Sequence, residues 1–178
     1  AEFEELALRD PLTGIGNRRV LDQHLTQIFD RAPIDRQDVA LIMCDVDGLK
    51  AVNDANGHAA GDDLLIHAAQ SLTAAARALT GSTVCRIGGD EFCVILDGGG
   101  TLSAEPVAAG AQKLFGDSGP GRSLSYGVAL ATTNIATPGA LLRAADEAQY
   151  EEKRRRKGTS RLGDLPSIAA RRRSRRGD

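Results

Sequence analysis

The chain has 178 residues and a mass of 18.7 kDa, enough for one domain with a packed core. Hydrophobic residues make up 42% of it and charged residues 26%, and these fractions exclude a wholly disordered chain. No apolar run approaches the roughly 20 residues of a membrane-spanning helix. Residues 1–5 lack the basic start of a signal peptide. We therefore expect a globular domain located in the cytoplasm.

The net charge of −2 conceals an uneven distribution. Residues 153–178 hold 11 of the 22 basic residues but only two of the 24 acidic ones. The rest of the chain is strongly acidic, which argues against general nucleic-acid binding. We expect no specific nucleic-acid partner and a disordered basic tail over residues 163–178.

The cysteines are odd in number, and all lie within apolar stretches. No Cys-x-x-Cys pair or paired histidine spacing indicates a zinc site. This pattern predicts buried free thiols in a reducing compartment rather than disulfides. The residues are Cys44, Cys85 and Cys93.

Hydrophobic periodicity predicts the elements in chain order. The run Val39–Val46 is apolar throughout, so we expect a central strand buried on both faces. One α/β sheet flanked by helices, without a second domain, follows from the order of elements. The predicted helices are Glu2–Leu8, Arg18–Phe29, Leu49–Ala55, Ala60–Leu79, Glu105–Phe115 and Pro138–Glu152; the other strands are Thr83–Ile87, Phe92–Leu96 and Ser123–Leu130, and Pro33–Asp38 is a loop.

Two acidic turns stand out. Asp45-Val46-Asp47-Gly48 follows the most apolar strand, at the end where α/β sheets bind ligands. Gly88-Gly89-Asp90-Glu91 separates two strands, and its glycines leave backbone N–H groups free for anionic oxygens. Each alone is equally an ordinary turn. Together, on neighbouring strands, Asp45 and Asp90 would share a metal ion and suit metal-assisted phosphoryl transfer.

Polar residues between the two turns complete the set of candidates. Lys50 is close enough to the first turn to reach a phosphate. Asn53 and Asp62 offer donors and acceptors suited to a guanine edge. Singly, each of these residues, like His58, is equally typical of helix capping or surface polarity.

The segment Arg86-Ile87-Gly88-Gly89-Asp90-Glu91-Phe92 resembles the signature of the GGDEF family, the diguanylate cyclases. Four further segments resemble that family's other motifs in the same order, over about residues 6–160. They are Asp10 to Arg19 (D-x-L-T-G-L-x-N-R-R), Asp45 to Asp54 (D-I-D-x-F-K-x-x-N-D), Gly57 to Asp62 (G-H-x-x-G-D), and Ser125 to Ala129 with Ala145 to Ala148 (S-I-G-I-A and A-D-x-A).

The resemblance implies a palm-like nucleotidyl cyclase fold, an α+β sandwich with a mostly antiparallel sheet. Residues 1–9 would end a signalling helix from an upstream sensor missing from this chain, and residues 10–162 would form the cyclase domain. Two facing subunits, each holding one GTP, would join them into cyclic di-GMP and release two pyrophosphates. Mg²⁺ or Mn²⁺ would be the cofactor.

The resemblance also implies a role for each matching residue. Asp45 and Asp90, with the carbonyl of Val46, would bind the metal, and Glu91 would support it. Asp90 would be the base near the attacking 3′-hydroxyl. Lys50 would act in catalysis by stabilising the charge that develops on the phosphate. Asn53 and Asp62 would recognise guanine, and His58 would line the nucleotide site. The phosphates would be bound by Gly88, Gly89, Lys153 and Lys157.

The chain departs from the family pattern at four places. Leu49 replaces the usual Phe, and Gln149 a usual Leu. After Lys153 the spacing changes, so that Arg156 and Lys157 are both candidates for a second phosphate contact. The inhibitory product site, R-x-x-D, is replaced by Leu79-Thr80-Gly81-Ser82, so we expect it to be absent. The alternative function is a non-catalytic domain that binds GTP or cyclic di-GMP.

Overall fold

The computed structural model describes residues 7–163, with side chains described as far as Arg156. The strands in this part of the chain are β1 (Val39–Val46), β2 (Ser82–Arg86), β3 (Glu91–Asp97) and β4 (Leu124–Leu130). The helices are α1 (Arg18–Phe29), α2 (Leu49–Asn56), α3 (His58–Ala76), α4 (Gly100–Asp117) and α5 (Pro138–Gly163), with a 3₁₀ turn at Pro33–Arg36.

The four strands form one sheet in the order β2-β3-β1-β4, and every neighbouring pair is antiparallel. This confirms the predicted α+β architecture with helices flanking a central antiparallel sheet. The register places Asp45 of β1 opposite Glu91 of β3 and opposite Ser125 of β4. The end of β1 that carries Asp45 therefore lies between the ends of two neighbouring strands.

Strand β1 is buried on both faces, as its apolar sequence predicts. Ala40, Ile42 and Cys44 pack in the cluster that holds residues of α3 and α4. Leu41 and Met43 belong to the cluster on the opposite face, with residues of α1 and α5. Because side chains alternate along a strand, Asp45 continues the second series, on the face covered by α5.

Helix α4 begins five residues before its predicted start at Glu105 because a distant side chain caps it. The Asp38 carboxylate accepts hydrogen bonds from the backbone N–H groups of Gly99, at 2.5 Å, and Thr101, at 3.1 Å. Gly100 lets the helix approach β1, since a Cβ there would lie 2.6 Å from the nitrogen of Ala40. Sequence periodicity does not report such long-range contacts.

Other boundaries also differ from the predictions. Helix α3 covers His58–Ala76 rather than Ala60–Leu79, and α5 continues well past Glu152 to Gly163. The extension of α5 passes through arginine and lysine residues, which are good helix formers. Residues 7–8 of the predicted first helix form a turn, while residues 1–6 and most of the predicted tail lie outside the described residues.

The three cysteines are buried and free, as predicted. Burial raises the pKa of Cys44 and of Cys85 to about 12, and it raises the pKa of Cys93 well above its ordinary value. These thiols are therefore packing residues rather than nucleophiles. Over the described residues, the structure contains no helix with the length and apolarity needed to cross a membrane.

Arg36 is a buried arginine within the segment predicted to be a loop, with only 5% of its surface exposed. Its guanidinium lies 4.4 Å from the centre of the Phe29 ring. It donates to the carbonyls of Phe29 and Arg31, at the end of α1, and to the carbonyl of Ile135. Arg36 thereby joins the carboxyl end of α1 to the loop before α5, as cations do at helix ends.

We predict that Arg36→Ala lowers the free energy of unfolding by about 2–3 kcal/mol, because buried carbonyls lose their donors and the Phe29 ring loses its cover. Urea denaturation of both proteins measures this difference. The control is Arg18→Ala, which removes an exposed ion pair with Asp22 and should cost less than about 1 kcal/mol. Equal losses in both variants would contradict the structural role of Arg36.

Candidate functional site

A backbone hydrogen bond at the residue just before β3 joins the two acidic turns. The backbone N–H of Val46 donates to the carbonyl of Asp90 at 3.0 Å, which continues the β1–β3 pairing past Glu91. Asp45, Val46 and Asp90 consequently line the same cavity of about 550 Å³. The cavity's other lining residues are Asp47, Gly48, Leu49, Lys50, Ser123, Ser125, Lys153 and Arg156.

The two glycines of the second turn have different surroundings. A Cβ on Gly88 would lie 2.4 Å from a carboxylate oxygen of Glu91, so the glycine makes room for that side chain. The carbonyl of Glu91 accepts hydrogen bonds from the backbone N–H groups of Ile87, at 2.9 Å, and Gly88, at 3.4 Å. Nothing lies within 4 Å of a Cβ on Gly89, which leaves open space for a ligand.

Arg86 holds this turn from behind, a contact that the sequence analysis did not assign. Its Nε and Nη2 both donate to the carbonyl of Gly89, at 3.2 and 2.8 Å. Its Nη1 binds both carboxylate oxygens of Asp10, at 3.2 and 3.3 Å. The guanidinium therefore links the N-terminal turn of the domain to the residue before Asp90.

Asp10 is fixed as an acceptor. Its Oδ1 accepts from the backbone N–H of Thr13, at 2.9 Å, and from the Thr13 hydroxyl, at 2.6 Å. Burial raises the pKa of Asp10, but the bonds from Thr13 and Arg86 outweigh it and hold the pKa below its usual value. Asp10 and Arg86 lie in two separate motifs of the sequence. Their opposite charges are the sequence feature that indicates this ion pair.

Asp47 has a different environment from Asp45. Its two carboxylate oxygens accept hydrogen bonds from the hydroxyls of Ser123 and Ser125, each at 2.7 Å. Its backbone N–H donates to the Ser123 carbonyl at 3.0 Å. Asp47 thus attaches the first acidic turn to β4. The alternating serines before and within β4 are the sequence feature that indicates this contact, which the analysis missed.

Basic groups enter the cavity from two helices. Lys50, from α2, is exposed at its edge. Lys153, from α5, forms an ion pair with Asp45. Arg156 donates to the Leu124 carbonyl at 3.0 Å and lies 3.9 Å from Asp47. Of the two alternatives for a further phosphate contact, Arg156 therefore lines the cavity, whereas the Lys157 side chain lies outside the described side chains.

The candidates for nucleotide binding on α2 and α3, which are Asn53, His58 and Asp62, are not among the residues that line this cavity. Asn53 packs against the start of α3, where a Cβ on Gly61 would lie 1.9 Å from its Oδ1. That oxygen is buried, and no described residue donates to it. His58 and Asp62 are exposed, four residues apart on the first turns of α3, and hence share one face.

The donor set fits a hard divalent cation only in part. Among the described side chains, no group of three or more His, Cys, Asp and Glu residues could enclose a metal ion. Mg²⁺ does not require such a cage, since it binds one or two carboxylates together with phosphates and water. Asp45 and Asp90, in one cavity with Lys50, Lys153 and Arg156, offer the oxygen ligands and the phosphate-binding cations of such an arrangement.

The position of the family's inhibitory motif has a structural occupant here. Ser82 stands where the motif has its aspartate, and its hydroxyl donates to the carbonyls of Ala76, at 3.2 Å, and Leu79, at 3.0 Å. It therefore closes the turn after α3. The absence of product binding at this position stays a prediction.

Comparisons with known proteins agree with the site. The sequence model of the family described as "Diguanylate cyclase, GGDEF domain" matches residues 7–159. Diguanylate cyclase TpbB of Pseudomonas aeruginosa is 35% identical over 173 residues, which are 93% of this chain and 39% of that protein. The response regulator PleD of Caulobacter vibrioides is 34% identical over 158 residues, 84% of this chain and 34% of that protein. The chain thus spans little more than a third of each.

Solved structures show the same fold. A variant of TpbB from Pseudomonas aeruginosa that comprises only its GGDEF domain superimposes with a TM-score of 0.72 at 33% identity, covering 83% of this chain and 89% of that one. Diguanylate cyclase SiaD of the same species, solved with its activator SiaC, gives 0.73 at 30% identity and covers 86% and 60%. The family model matches most of the chain, and the chain therefore belongs to the GGDEF family of diguanylate cyclases.

Proposed function

We propose that this domain is an active diguanylate cyclase, which condenses two GTP into cyclic di-GMP and releases two pyrophosphates. The supporting observation is that Asp45 and Asp90 converge on one cavity together with three basic side chains. Carboxylates beside cations are the groups that metal-assisted phosphoryl transfer requires. We further propose that it acts in the cytoplasm, as the output of a sensor preceding residue 10.

The chemistry is a nucleotidyl transfer in which charge stabilisation and positioning supply most of the rate. The 3′-oxygen of one GTP attacks the α-phosphorus of the other, the bond to pyrophosphate breaks, and the 3′-hydroxyl proton passes to Asp90. Lys50, Lys153, Arg156 and Lys157 would neutralise phosphate charge, and Gly88 and Gly89 would let the phosphates approach the backbone. The reaction then repeats with the two nucleotides exchanging roles.

Asp45, the Val46 carbonyl and Asp90 are the residues that would hold Mg²⁺ or Mn²⁺, with Glu91 supporting them from the opposite strand. When bound, such an ion polarises the phosphate and lowers the pKa of the attacking hydroxyl. One cavity per chain would hold one GTP. Two subunits must therefore face each other, and we propose a homodimer as the active species.

Asp90→Ala should reduce cyclic di-GMP formation by at least about 100-fold, because the variant lacks the proposed base and a metal ligand. Chromatography of reactions with GTP and Mg²⁺ measures the product. For the wild type, product should rise faster than linearly with protein concentration, as a dimer-dependent reaction requires. Asp54→Asn, an exposed acid on α2 outside the cavity lining, is the control and should retain activity.

A wild type that binds GTP but makes no product, even when two copies are joined by a fused dimerisation helix, would favour the regulatory alternative. Product formation that is linear in protein concentration, by a protein that has the mass of a monomer at the same concentrations, would contradict the requirement for two chains. Equal product from wild type and Asp90→Ala would contradict the role of Asp90.

Arg86→Gln and Asp10→Asn should each lower kcat by about 10-fold or more, because the Gly89 carbonyl beside Asp90 loses its anchor. Because both residues belong to one bridge, the double variant should be little worse than either single one. A double-mutant cycle on kcat tests this, with the melting temperature followed in parallel. Additive losses would show that the two residues act separately.

Asp62→Asn should raise the KM for GTP by about 10-fold with little change in kcat, since an amide cannot accept from both N–H groups of a guanine edge. In this variant, the KM for inosine triphosphate, which lacks the exocyclic amine, should rise less than the KM for GTP. The neighbouring Asp63→Asn, which removes an ion pair with Arg122, is the control. The same KM change in both variants would exclude specific guanine recognition by Asp62.

A further inference from the structure

Lys153 forms an ion pair in the cavity with the carboxylate that is proposed to bind the metal. The ammonium pairs with Oδ2 of Asp45. The Asp45 side chain is only 13% exposed and that of Lys153 33% exposed, so water screens this pair weakly. The Lys153 ammonium therefore already neutralises the Asp45 carboxylate, whose negative charge a divalent ion would need for binding.

The fold holds Lys153 over Asp45, because α5 is attached to β4 on both sides of the lysine. Four residues before it, the Gln149 amide donates to the Ser125 carbonyl at 3.2 Å. Three residues after it, Arg156 donates to the Leu124 carbonyl at 3.0 Å. The register places Ser125 directly opposite Asp45. These two anchors fix the segment of α5 that carries Lys153 next to the end of β1.

Gly127 makes this close packing possible. A Cβ at Gly127 would lie 2.1 Å from the backbone nitrogen of Gln149 and 2.4 Å from the carbonyl of Ala145. Only a glycine allows the helix backbone to lie so near the strand. Tertiary packing of α5 on β4 therefore places Lys153 next to Asp45. The lysine does not reach the carboxylate from a freely moving surface segment.

We propose that Lys153 competes with the divalent cation for Asp45, so that metal and nucleoside triphosphate each raise the affinity for the other rather than binding independently. This inference rests on the proposed function, since it concerns the same cavity. A divalent cation arriving alone must displace the ammonium from Asp45. A triphosphate offers the ammonium a new anionic partner, and Asp45 then becomes available to the ion.

The proposed coupling between the divalent ion and the nucleotide is reciprocal. If nucleotide removes the competitor from Asp45, it must raise the affinity for the ion, and by linkage the ion must raise the affinity for nucleotide. The protein supplies few ligands of its own, because no cage of three or more acidic, histidine or cysteine side chains exists among the described residues. The free domain is therefore expected to hold divalent cations weakly.

The test is Mn²⁺ binding by the whole chain without nucleotide, read from the electron paramagnetic resonance signal of free Mn²⁺. Lys153→Met should bind Mn²⁺ at least about 5-fold more tightly than the wild type. Lys153→Arg, which keeps the charge, should resemble the wild type. Lys50→Met removes another lysine of the same cavity that is not the partner of Asp45, and should change the affinity less than about 2-fold.

The same variant should respond in the opposite direction to nucleotide. With Mg²⁺ present, Lys153→Met should bind GTP at least about 5-fold more weakly, because the triphosphate loses a cation. Adding Asp45→Asn to Lys153→Met should abolish the gain in Mn²⁺ affinity, which places the bound ion at Asp45. A structural role for Lys153 alone would weaken both ligands together.

An unchanged or lower Mn²⁺ affinity in Lys153→Met overturns the proposal, and so does an equal gain in Lys50→Met, which would be a general effect of cavity charge. These outcomes differ from failure of the proposed function. If the wild type binds no GTP, the cyclase assignment fails, while the Mn²⁺ measurement still decides whether Lys153 competes for Asp45.

Discussion

The site depends on the pairing of β1 with both its neighbours in one register. Asp45 opposes Glu91 on one side and Ser125 on the other, and the bond from Val46 to the Asp90 carbonyl extends the first pairing into the Gly-Gly turn. A shift of one residue would turn every side chain of β1 to the other face. Such a shift would move Asp45 from the face covered by α5 into the apolar cluster beneath α3 and α4, and the cost of burying an unpaired carboxylate opposes it.

The charges at this end of the sheet come from different elements and balance one another. Asp45 and Asp47 belong to β1 and the turn after it, and Asp90 belongs to the β2–β3 turn, while the cations come from α2 and α5. Two of these acids have distinct partners, since Asp47 accepts hydrogen bonds from two serine hydroxyls and Asp45 forms an ion pair with Lys153. A cavity with both signs of charge suits a ligand that is itself a polyanion with a cation.

A second connection runs behind the site and away from it. Arg86 joins the Gly89 carbonyl to Asp10, and Asp10 is fixed by Thr13. Asn17 closes the same N-terminal turn, because its amide donates to the carbonyl of Ala7 at 2.9 Å. A displacement of the chain where it enters the domain would therefore reach the residue before Asp90 through a short series of charge-assisted bonds.

The sequence by itself determined the strands of the core, the two acidic turns and the family, because these are written in local periodicity and in motifs of fixed spacing. The apolar run at Val39–Val46 predicted a strand buried on both faces, and the motif around Gly88 predicted the hairpin. Only the tertiary structure decided that Arg36 is buried, that α4 begins at Gly100 and that Lys153 meets Asp45. These three features depend on groups distant in sequence: Ile135 for Arg36, Asp38 for the start of α4, and Gly127 for the position of Lys153. The effect of these groups appears only when the helices pack on the sheet.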